Sequence, residues 1–552
     1  MTFFNLDRGR LAGHTLVLVA AMTVFLASAR GQTSMNVTLF GTLNPLPVRY
    51  SGCWGWAATD GSEYALLGGF EGLHVISIDD SMDIHQVDFV DGSNSNWREI
   101  TVIGNHAFVV TEGGGDLQGL QVIDLSPLPD SVHLVTTYIA TFFRAHIISH
   151  DETNNLPYVY VSGTSSTGGV HIIDVSDPAN PQQVGLYDPT YYIHDAFVTE
   201  DLMFASALGV GLDIVDISDR SAPSLIGQID HPGQFTHSSW TTEDRSHIVI
   251  ADETDGLPAR IWNIEDLGDP FEVAQYSANL QSLVHNPYVL GDLLFVSHNT
   301  EGMRVVDIRD PALPLEVGYY DTYSGTSGGF NGLWSAYPFF PSGKIIGGNR
   351  EDGLYVWRFN GTRAGRIYGV VVDSLSGELL SGAAITINEA AYSTVSDSSG
   401  IFALVALPSG PGGYTIEVEL PGYVSRTFSG FILSGGDSLS LQVPLVPTGT
   451  SVEPSDGDLP LAISLLQNYP NPFNPSTEIR YTIGEATRVR LQIYDVLGEL
   501  VRDLVDEPQS AGVWSKSWDG LDNRGKRIGS GMYFYRLEAG GQIMMKRMVM
   551  LR

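Results

Sequence analysis

One hydrophobic pattern recurs seven times between about residue 65 and residue 360. Each copy has a glycine, an apolar residue, a variable residue, two apolar residues and a polar residue. The copies are GLHVIS from Gly72, GLQVID from Gly119, GVHIID from Gly169, GLDIVD from Gly211, PARIWN from Pro258, GMRVVD from Gly302 and GLYVWR from Gly353. Their last polar positions lie 42 to 51 residues apart. Such a period of short β-type runs is typical of a propeller with one four-stranded blade per repeat.

Further apolar runs precede each copy, among them YVYVSG from Tyr158 and LLFVSHN from Leu293. Their β-branched and aromatic residues, bounded by Gly, Asn and Asp, indicate strands. Turns rich in Asp, Ser and Pro follow the copies, as in SDPANP from Ser176. We expect structural roles for the aspartates before these turns, which are Asp124, Asp174, Asp216 and Asp307. The pattern predicts a seven-bladed β-propeller over residues 46–360.

Two smaller β domains are predicted after the repeats. Residues 364–447 alternate as strands, with tight turns such as Ser399-Gly400 and Pro421-Gly422. Residues 448–464 are rich in Pro, Gly, Ser, Asp and Thr, which indicates a linker. Residues 465–552 alternate again after two Asn-Pro pairs. The fold class expected from these patterns is all-β, a propeller followed by two small β-sandwiches.

The N-terminal residues 1–31 have the layout of a secretory signal. Arg8 and Arg10 precede the apolar run LVLVAAMTVFLA, and Ala27-Ser28-Ala29 offers a cleavage site. A membrane anchor is the alternative, but the apolar run is too short to span a bilayer comfortably. We therefore expect export, with no transmembrane span in the mature chain. Cys53 is the single cysteine, so no disulfide can form within the chain.

Charge is distributed unevenly along the chain. Residues 466–552 contain 12 basic and 10 acidic residues, whereas the whole chain has a net charge of −34. The first 465 residues therefore carry −36. An acidic body without a basic patch excludes nucleic acid as a partner. It favours solubility outside the cell, and divalent-cation binding is the sharper alternative.

Four histidines recur near the starts of consecutive repeats: His146, His194, His237 and His285, with gaps of 48, 43 and 48 residues. Because the first strand of each propeller blade lines the central channel, we expect these side chains to form a ring. Four imidazoles facing one channel suit a divalent transition metal or a polar ligand. The alternative is that each histidine binds the backbone of a neighbouring blade.

An outer group of polar residues is expected at the face where the second strands end. Its members are Glu112, Asp195, Asp252, Glu253 and His298, with Arg98 and Glu99 nearby. Strand ends from adjacent blades meet there, which favours a ligand pocket. Carboxylates and imidazoles in such a pocket would suit a cation.

Three long segments in the repeat region carry a family resemblance. They are RAHIISHDETNNLPYVYVSG from Arg144, SSWTTEDRSHIVIADE from Ser238 and FNGLWSAYPFFPSGKIIGGNREDGLYVW from Phe330. In these strings the chain resembles the LVIVD-repeat propeller of the exported proteins called choice-of-anchor B. The resemblance implies a secreted propeller with interchangeable C-terminal anchors. It implies no established reaction.

The region 364–447 resembles the carboxypeptidase regulatory-like domain, a sandwich of the prealbumin type. The matching residues are Asp397, Gly400 and Phe402 of a D-x-x-G-x-F motif and the PGY string from Pro421. The resemblance implies a non-catalytic spacer or stability module. Its sequence contains no zinc-ligand spacing.

The tail from residue 465 to residue 552 closely resembles the type A C-terminal sorting domain of type IX secretion, an Ig-like sandwich related to the flagellar hook-capping fold. The sorting signal carried over is Asn471, Pro472, Phe473, Asn474 and Pro475, with Lys546 and Arg547 near the end. The resemblance implies recognition by the outer-membrane translocon of a Gram-negative cell, after passage through the periplasm. We then expect a secreted or surface-attached protein.

Two functions remain open on the sequence. The first is a surface protein whose propeller binds a glycan, a peptide or a protein. The second is a secreted metal-dependent enzyme with the histidines at its centre. Neither an H-E-x-x-H motif nor a P-loop occurs in the sequence, which favours binding over catalysis. A calcium-stabilised scaffold is a third interpretation.

Overall fold

The computed structural model describes residues 33–46, 48–154, 156–390, 392–449, 463–465, 468, 471, 473, 475–484, 486–495, 498–510 and 512–550. Strands are their regular elements, and none of them forms a helix that could cross a membrane. The predicted signal 1–31, Pro472, Asn474 and most of the predicted linker lie outside these residues. The chain divides into two compact units, with the boundary between Thr362 and Arg363.

The first unit contains 29 strands among its described residues. Strands β1 and β2 are Ser34–Met35 and Val37–Leu43. Strands β3 to β6 are Tyr50–Ala57, Glu63–Gly69, Gly72–Ser77 and His85–Asp91. Strands β7 to β10 are Arg98–Ile103, His106–Thr111, Leu120–Asp124 and His133–Tyr138. Strands β11 to β14 are Ile147–His150, Tyr158–Ser162, Val170–Asp174 and Gln182–Tyr187.

Strands β15 to β18 are Asp195–Thr199, Leu202–Ser206, Leu212–Asp216 and Ser224–Ile229. Strands β19 to β22 are Thr236–Thr241, His247–Asp252, Ala259–Asn263 and Phe271–Tyr276. Strands β23 to β26 are Asn286–Leu290, Leu293–Ser297, Met303–Asp307 and Leu315–Tyr320. Strands β27 to β29 are Leu333–Tyr337, Lys344–Asn349 and Gly353–Phe359.

These strands form six antiparallel sheets of four strands and one of five among the described residues, in a propeller-like arrangement. Each sheet from β3 to β22 takes four consecutive strands, β23 to β26 form a sheet with β1 at its edge, and β27 to β29 form a sheet with β2. The first strands are β3, β7, β11, β15, β19, β23 and β27. Each first strand contacts the next one, and β27 contacts β3, so the first strands close a ring.

The recurring glycine pattern forms the third strand of each sheet. In β17 the residues LDIV are fully buried, as expected of a strand covered on both faces. The preceding Gly211 has a φ of +113°, a region that favours glycine, and a Cβ there would lie 2.6 Å from the carbonyl oxygen of Ile229. The glycine therefore lets the third strand start close to the fourth.

The variable position of the pattern has a defined structural role. Its occupants His74, Gln121, His171, Asp213, Arg260 and Arg304 are buried. His74 Nδ1 lies 2.8 Å from Gln86 Oε1, and Arg260 Nη1 donates to Glu272 Oε2 at 2.6 Å. Both partners lie on the fourth strand of the same sheet. Buried polar groups need such partners, and these two pairs link the third strand to the fourth. Gln121 instead links two sheets, since its Nε2 donates to the carbonyl oxygen of Asp91 on β6 at 2.9 Å.

The strand-end aspartates have the predicted structural role. Each carboxylate accepts a hydrogen bond from the backbone N–H two residues later. The pairs are Asp124 with Ser126 (2.8 Å), Asp174 with Ser176 (2.8 Å), Asp216 with Ser218 (2.9 Å) and Asp307 with Arg309 (3.1 Å). These local bonds stabilise the turn into the fourth strand.

The N-terminal segment completes two of the sheets. β2 pairs antiparallel with β29, from Val37 opposite Phe359 to Leu43 opposite Leu354, and β1 pairs with β26. The predicted start at residue 46 leaves both strands out. Their backbone groups close sheet edges that would otherwise be open.

A buried ion pair joins the sheet of β3 to β6 to the sheet of β27 to β29. Glu63 Oε2 lies 3.0 Å from Lys344 Nζ, and both residues are at most 5% exposed. The carboxylate also accepts hydrogen bonds from the hydroxyl (2.6 Å) and the backbone N–H (3.0 Å) of Ser342. These partners offset the free-energy cost of burying the Glu63 carboxylate.

The second unit contains two successive β-sandwiches. Strands β30 to β36 are Gly365–Asp373, Ala384–Ile387, Tyr392–Val395, Ile401–Ala406, Tyr414–Glu419, Arg426–Phe431 and Ser438–Leu445. They form the sheets β33-β30-β36 and β32-β31-β34-β35. Strands β37 to β43 are Ser464–Leu465, Thr477–Ile483, Thr487–Tyr494, Leu500–Gln509, Gly512–Trp518, Gly531–Ala539 and Gln542–Met550. They form the sheets β37-β38-β41 and β40-β39-β42-β43.

Each sandwich encloses its own apolar core. Ile385, Phe402 and Leu441 belong to the first core, and Trp518 and Tyr535 to the second. The predicted order of a large β domain and two small sandwiches is therefore found among the described residues.

The Glu63–Lys344 pair should contribute measurably to stability. We expect Lys344→Met to lower the free energy of unfolding by about 3 kcal/mol, because it leaves a buried carboxylate without its cation. Urea denaturation of the purified protein measures the loss. Arg245→Met is the matched control, since Arg245 pairs with Glu200 near the surface and should cost less than about 1 kcal/mol. Equal losses in the two variants would contradict this account.

Candidate functional site

The four predicted histidines lie side by side at one end of the first strands. Ring centroids are 4.4 Å apart for His146 and His194, 4.3 Å for His194 and His237, and 4.2 Å for His237 and His285. Trp334 continues the row, 4.2 Å from His285. We call the four histidines the histidine tier. All of them are buried, with at most 9% exposure.

Three members of the tier donate hydrogen bonds to the backbone of the next sheet. Nδ1 of His194 lies 3.3 Å from the carbonyl oxygen of His237, and Nδ1 of His237 lies 3.1 Å from that of His285. His285 Nδ1 lies 2.8 Å from the carbonyl oxygen of Trp334. Because a carbonyl oxygen only accepts, each Nδ1 carries the hydrogen, and in the neutral tautomer that this selects Nε2 keeps a lone pair. The backbone contact expected as the alternative is thus present, and it leaves Nε2 available.

Glu253 faces these free nitrogens. Its Oε1 lies 3.7 Å from His237 Nε2 and 3.6 Å from His285 Nε2. Burial alone would raise the pKa of Glu253, but the neighbouring histidines lower it to about 2. Burial and the nearby His285 lower the pKa of His237 to about 3. At neutral pH the ionised carboxylate of Glu253 therefore lies beside the neutral imidazole of His237.

His146 differs from the rest of the tier. Its Nδ1 lies 2.8 Å from Glu112 Oε1 instead of a backbone carbonyl. Burial disfavours the charged imidazole, but the bond to Glu112 and the charges of Glu112, Glu99 and Glu253 raise the pKa of His146. The same hydrogen bond lowers the pKa of Glu112. The predicted outer residues Glu112 and Glu253 thus both contact the tier.

Two further carboxyl groups, Glu99 and Asp195, lie on the first strands themselves. Burial raises the pKa of Glu99 to about 7 and that of Asp195 to about 6. Glu99 Oε1 accepts a hydrogen bond from Trp334 Nε1 at 2.9 Å. A Cβ at Gly52 would lie 2.2 Å from Glu99 Oε2, so this glycine leaves the space that the carboxyl group fills.

The structure does not bring Asp252 and His298 to the tier. Asp252 Oδ2 lies 3.4 Å from His231 Nε2, and its Oδ1 accepts from the backbone N–H of Phe235 at 2.8 Å. His298 Nε2 lies 3.3 Å from Ser277 Oγ, and burial together with Arg304 lowers the pKa of His298 to about 3. Both residues bond instead to side chains and backbone away from the tier.

Arg98, expected near the outer group, bonds within its own surroundings. Its Nε donates to the carbonyl oxygen of Gly69 at 3.1 Å, and its Nη2 donates to that of Ser93 at 2.7 Å. The guanidinium therefore bridges two backbone segments.

Sequence reasoning missed an aromatic cluster farther along the first strands. Phe197 and Trp240 lie 4.7 Å apart, and Trp240 and Tyr288 lie 5.5 Å apart, between ring centroids. Phe339 connects Trp240 (5.4 Å) to Tyr337 (5.3 Å), and Tyr337 lies 5.1 Å from Trp54. Phe197, Trp240, Tyr288 and Tyr337 each follow a tier residue or Trp334 by three positions, and this spacing was the available signal.

A serine at residue 327 was also overlooked. Residues 325–329 read GTSGG, which has the G-x-S-x-G spacing of a nucleophile elbow. The segment lies in a loop rather than between a strand and a helix, and Ser327 Oγ donates to Glu301 Oε1 at 2.8 Å. This geometry does not fit an activated nucleophile.

The described residues of the predicted sorting signal divide into buried and exposed ones. Phe473 is buried against Trp518, with ring centroids 5.5 Å apart. Asn471 Oδ1 accepts a hydrogen bond from the backbone N–H of Val549 at 2.8 Å. The remaining described members, Pro475, Lys546 and Arg547, are exposed.

The tier also contains a set of metal-ligating atoms. One ligand atom each from His194, His237 and Glu253 lies within 4.8 Å of the other two. Imidazole nitrogen and carboxylate oxygen are donors that zinc and related divalent metals accept in proteins.

The raised pKa of His146 depends on Glu112. We expect Glu112→Gln to lower the pKa of His146, measured by NMR titration of the imidazole. The pair should stabilise the fold most between about pH 4.5 and 6.5, because the Glu112 contribution is lost as pH falls through its lowered pKa and the His146 contribution as pH rises through its raised pKa. Asp116→Asn, in the same loop, is the control. An unchanged His146 titration in Glu112→Gln would rule out the proposed cause.

Three family models match parts of the chain. The LVIVD repeat matches residues 157–189, 200–231 and 286–322, which cover β12–β14, β16–β18 and β23–β26. The carboxypeptidase regulatory-like domain matches residues 366–446, and the FlgD Ig-like domain matches residues 476–542. No curated protein matches the chain. The chain therefore carries LVIVD repeats and a carboxypeptidase regulatory-like domain, followed by a domain similar to the FlgD Ig-like domain.

Proposed function

We propose that this chain is an exported protein of the choice-of-anchor B type, secreted or held at the outer surface of a Gram-negative cell. In this proposal the first unit is a seven-bladed propeller that binds a ligand at the histidine tier. The carboxypeptidase regulatory-like domain acts as a spacer. The C-terminal sandwich is a type IX sorting domain that is recognised by the secretion translocon.

The convergence of polar groups at the tier carries the binding proposal. Side chains from separate sheets meet there, and the buried Nε2 of His285 has no hydrogen-bond partner among the described residues. The Nε2 of His237 lies 3.7 Å from Glu253 Oε1. Leaving buried polar groups without partners costs free energy, so such an arrangement favours a ligand that supplies the missing contacts. A histidine that only bonds to the backbone of a neighbouring sheet does not require other polar side chains to lie beside it.

Several observations support the extracellular location. LVIVD repeats and an Ig-like domain fit an extracellular propeller protein. The net charge of −34 suits solubility outside the cell. The residues Asn471 to Pro475 and the exposed pair Lys546 and Arg547 match the sorting-domain pattern. A glycan, a peptide or a protein is the expected ligand class.

A metal-dependent enzyme on the same propeller is the second candidate. The observation that favours it is the donor set of His194, His237 and Glu253, whose ligand atoms lie within 4.8 Å of one another. Metal analysis of the purified protein, combined with the ligand test below, separates the two functions.

Ligand binding should depend on the rim of the tier, which we define as the partly exposed residues Tyr192 and Glu112. We expect Tyr192→Ala and Glu112→Gln to weaken binding about tenfold or more in a screen of immobilised glycans, peptides and proteins, because loss of a hot-spot contact with the ligand costs over about 1 kcal/mol. Tyr192 is 39% exposed, and its ring centroid lies 6.3 Å from that of His194. Phe271→Ala, at an exposed position on β22, is the matched control. Binding that survives both rim variants would place the ligand elsewhere.

Delivery to the surface should require the tail. We expect a chain that lacks residues 465–552 to accumulate in the periplasm of a Gram-negative host with a type IX translocon, because the sorting domain would be absent. Immunoblots of periplasmic, surface and medium fractions measure the distribution. Lys516→Ala, an exposed change within the tail, should leave delivery intact. Surface delivery of the truncated chain would refute the sorting role.

A further inference from the structure

We propose that His194, His237, His285 and Glu253 form a binding site for one divalent transition metal, zinc in the first place. This proposal deepens the proposed function and rests on it for the location of the site. It names the first ligand of the tier, and His146 is not one of the proposed ligands.

The orientation of the rings is the first argument. Each Nδ1–H of His194, His237 and His285 is held by a backbone carbonyl oxygen, which fixes both the ring plane and the tautomer. Metal-ligating histidines in proteins have this arrangement, with one ring nitrogen donating to a fixed acceptor and the other facing the metal. Three consecutive first strands supply the same orientation.

The unpaired acceptors are the second argument. His285 is 1% exposed, and its Nε2 has no hydrogen-bond partner among the described residues. That nitrogen lies 3.6 Å from Glu253 Oε1, and the Nε2 of His237 lies 3.7 Å from the same oxygen. Both distances exceed the range of an N–H···O hydrogen bond. A lone pair thus faces a carboxylate oxygen, an arrangement that a cation between the two atoms would stabilise.

The separations fit a small divalent ion. In a tetrahedral zinc site with bonds of 2.0–2.1 Å, ligand atoms lie about 3.3 Å apart. The distances from Glu253 Oε1 to His237 Nε2 and His285 Nε2 are within about 0.4 Å of that value. The ligand atoms of His194, His237 and Glu253 lie within 4.8 Å of one another, so binding of one ion by all four residues requires side-chain rotations that bring His194 and His285 closer together. Three imidazoles and one carboxylate also match the donor preference of zinc, whereas calcium and magnesium prefer oxygen ligands throughout.

Glu253 connects the site to its opening. Its side chain is 14% exposed, whereas those of His237 and His285 are 1% exposed. An ion can therefore reach the carboxylate before it contacts the buried nitrogens. Glu112, with a side chain that is 42% exposed, adds negative charge at the same end and attracts cations to it.

Zinc binding by the mature full-length protein tests this proposal. After chelator treatment and dialysis, calorimetric titration with Zn²⁺ alone should show one ion per chain, confirmed by elemental analysis. His237→Ala and Glu253→Gln should each weaken binding about tenfold or more. His171→Ala is the matched control, because His171 is buried but bonds to Gln183 on its own sheet. Its Zn²⁺ affinity should match that of the unmodified protein.

Two further measurements distinguish loss of the metal site from a folding defect. Circular dichroism identifies any variant that does not fold, and Glu253→Gln changes only one partly exposed group. The absorption spectrum of the Co²⁺-loaded protein should indicate tetrahedral coordination and should be lost in Glu253→Gln. Absence of stoichiometric binding, or unchanged binding in both variants, would overturn the proposal. An Nε2–H on His237 or His285 bonded to Glu253, seen by NMR in the presence of Zn²⁺, would also overturn it.

The Zn²⁺ titration and the ligand screen can give opposite results, so failure of the metal site can be distinguished from failure of the ligand-binding proposal. A Zn²⁺-binding protein that captures nothing in the screen would leave the metal site standing and remove the ligand-binding proposal. A chain that binds a glycan, peptide or protein without binding Zn²⁺ would do the reverse.

Discussion

The closure of the first strands into a ring is the constraint on which the first unit depends. Because each first strand contacts the next and β27 contacts β3, the same end of every first strand points into one small space. Few side chains fit there, and their backbone neighbours lie close enough to accept hydrogen bonds. The histidines satisfy this geometry with Nδ1 on the next carbonyl, and Gly52 satisfies it by having no side chain where Glu99 extends. The chemistry of the tier is therefore a consequence of the closure.

Much of the fold follows from periodicity. The glycine pattern predicted the third strands, and the spacing of the histidines predicted that they would meet. The polar partners within a sheet were not predictable in this way, because His74 and Gln86 or Arg260 and Glu272 meet only when a bulged fourth strand pairs with the third. The position that looked variable in the sequence varies in residue type, and it bonds to the fourth strand of its own sheet at His74 and Arg260 but to the preceding sheet at Gln121.

The outer group of polar residues shows what could not be predicted from the sequence. Asp252 and Glu253 are neighbours in the chain, yet Glu253 contacts the tier and Asp252 contacts His231 and Phe235. Successive residues of an extended strand point to opposite sides, so an error of one position reverses the assignment. Without the register of β20 against β19, the sequence cannot tell which of the two carboxylates faces the site. The same holds for His298, which follows the end of β24.

The pairing of β2 with β29 has a consequence for biogenesis. The two partners are separated by more than 300 residues, so the first unit cannot finish its last sheet until nearly all of its sequence is available. A polypeptide that emerges from a membrane pore amino end first would hold β2 with open hydrogen-bonding groups throughout that interval. Such an unpaired strand edge can pair with other chains, and a chaperone prevents this association. The compartment that the chain enters must therefore keep β2 from pairing with other chains until β29 is available.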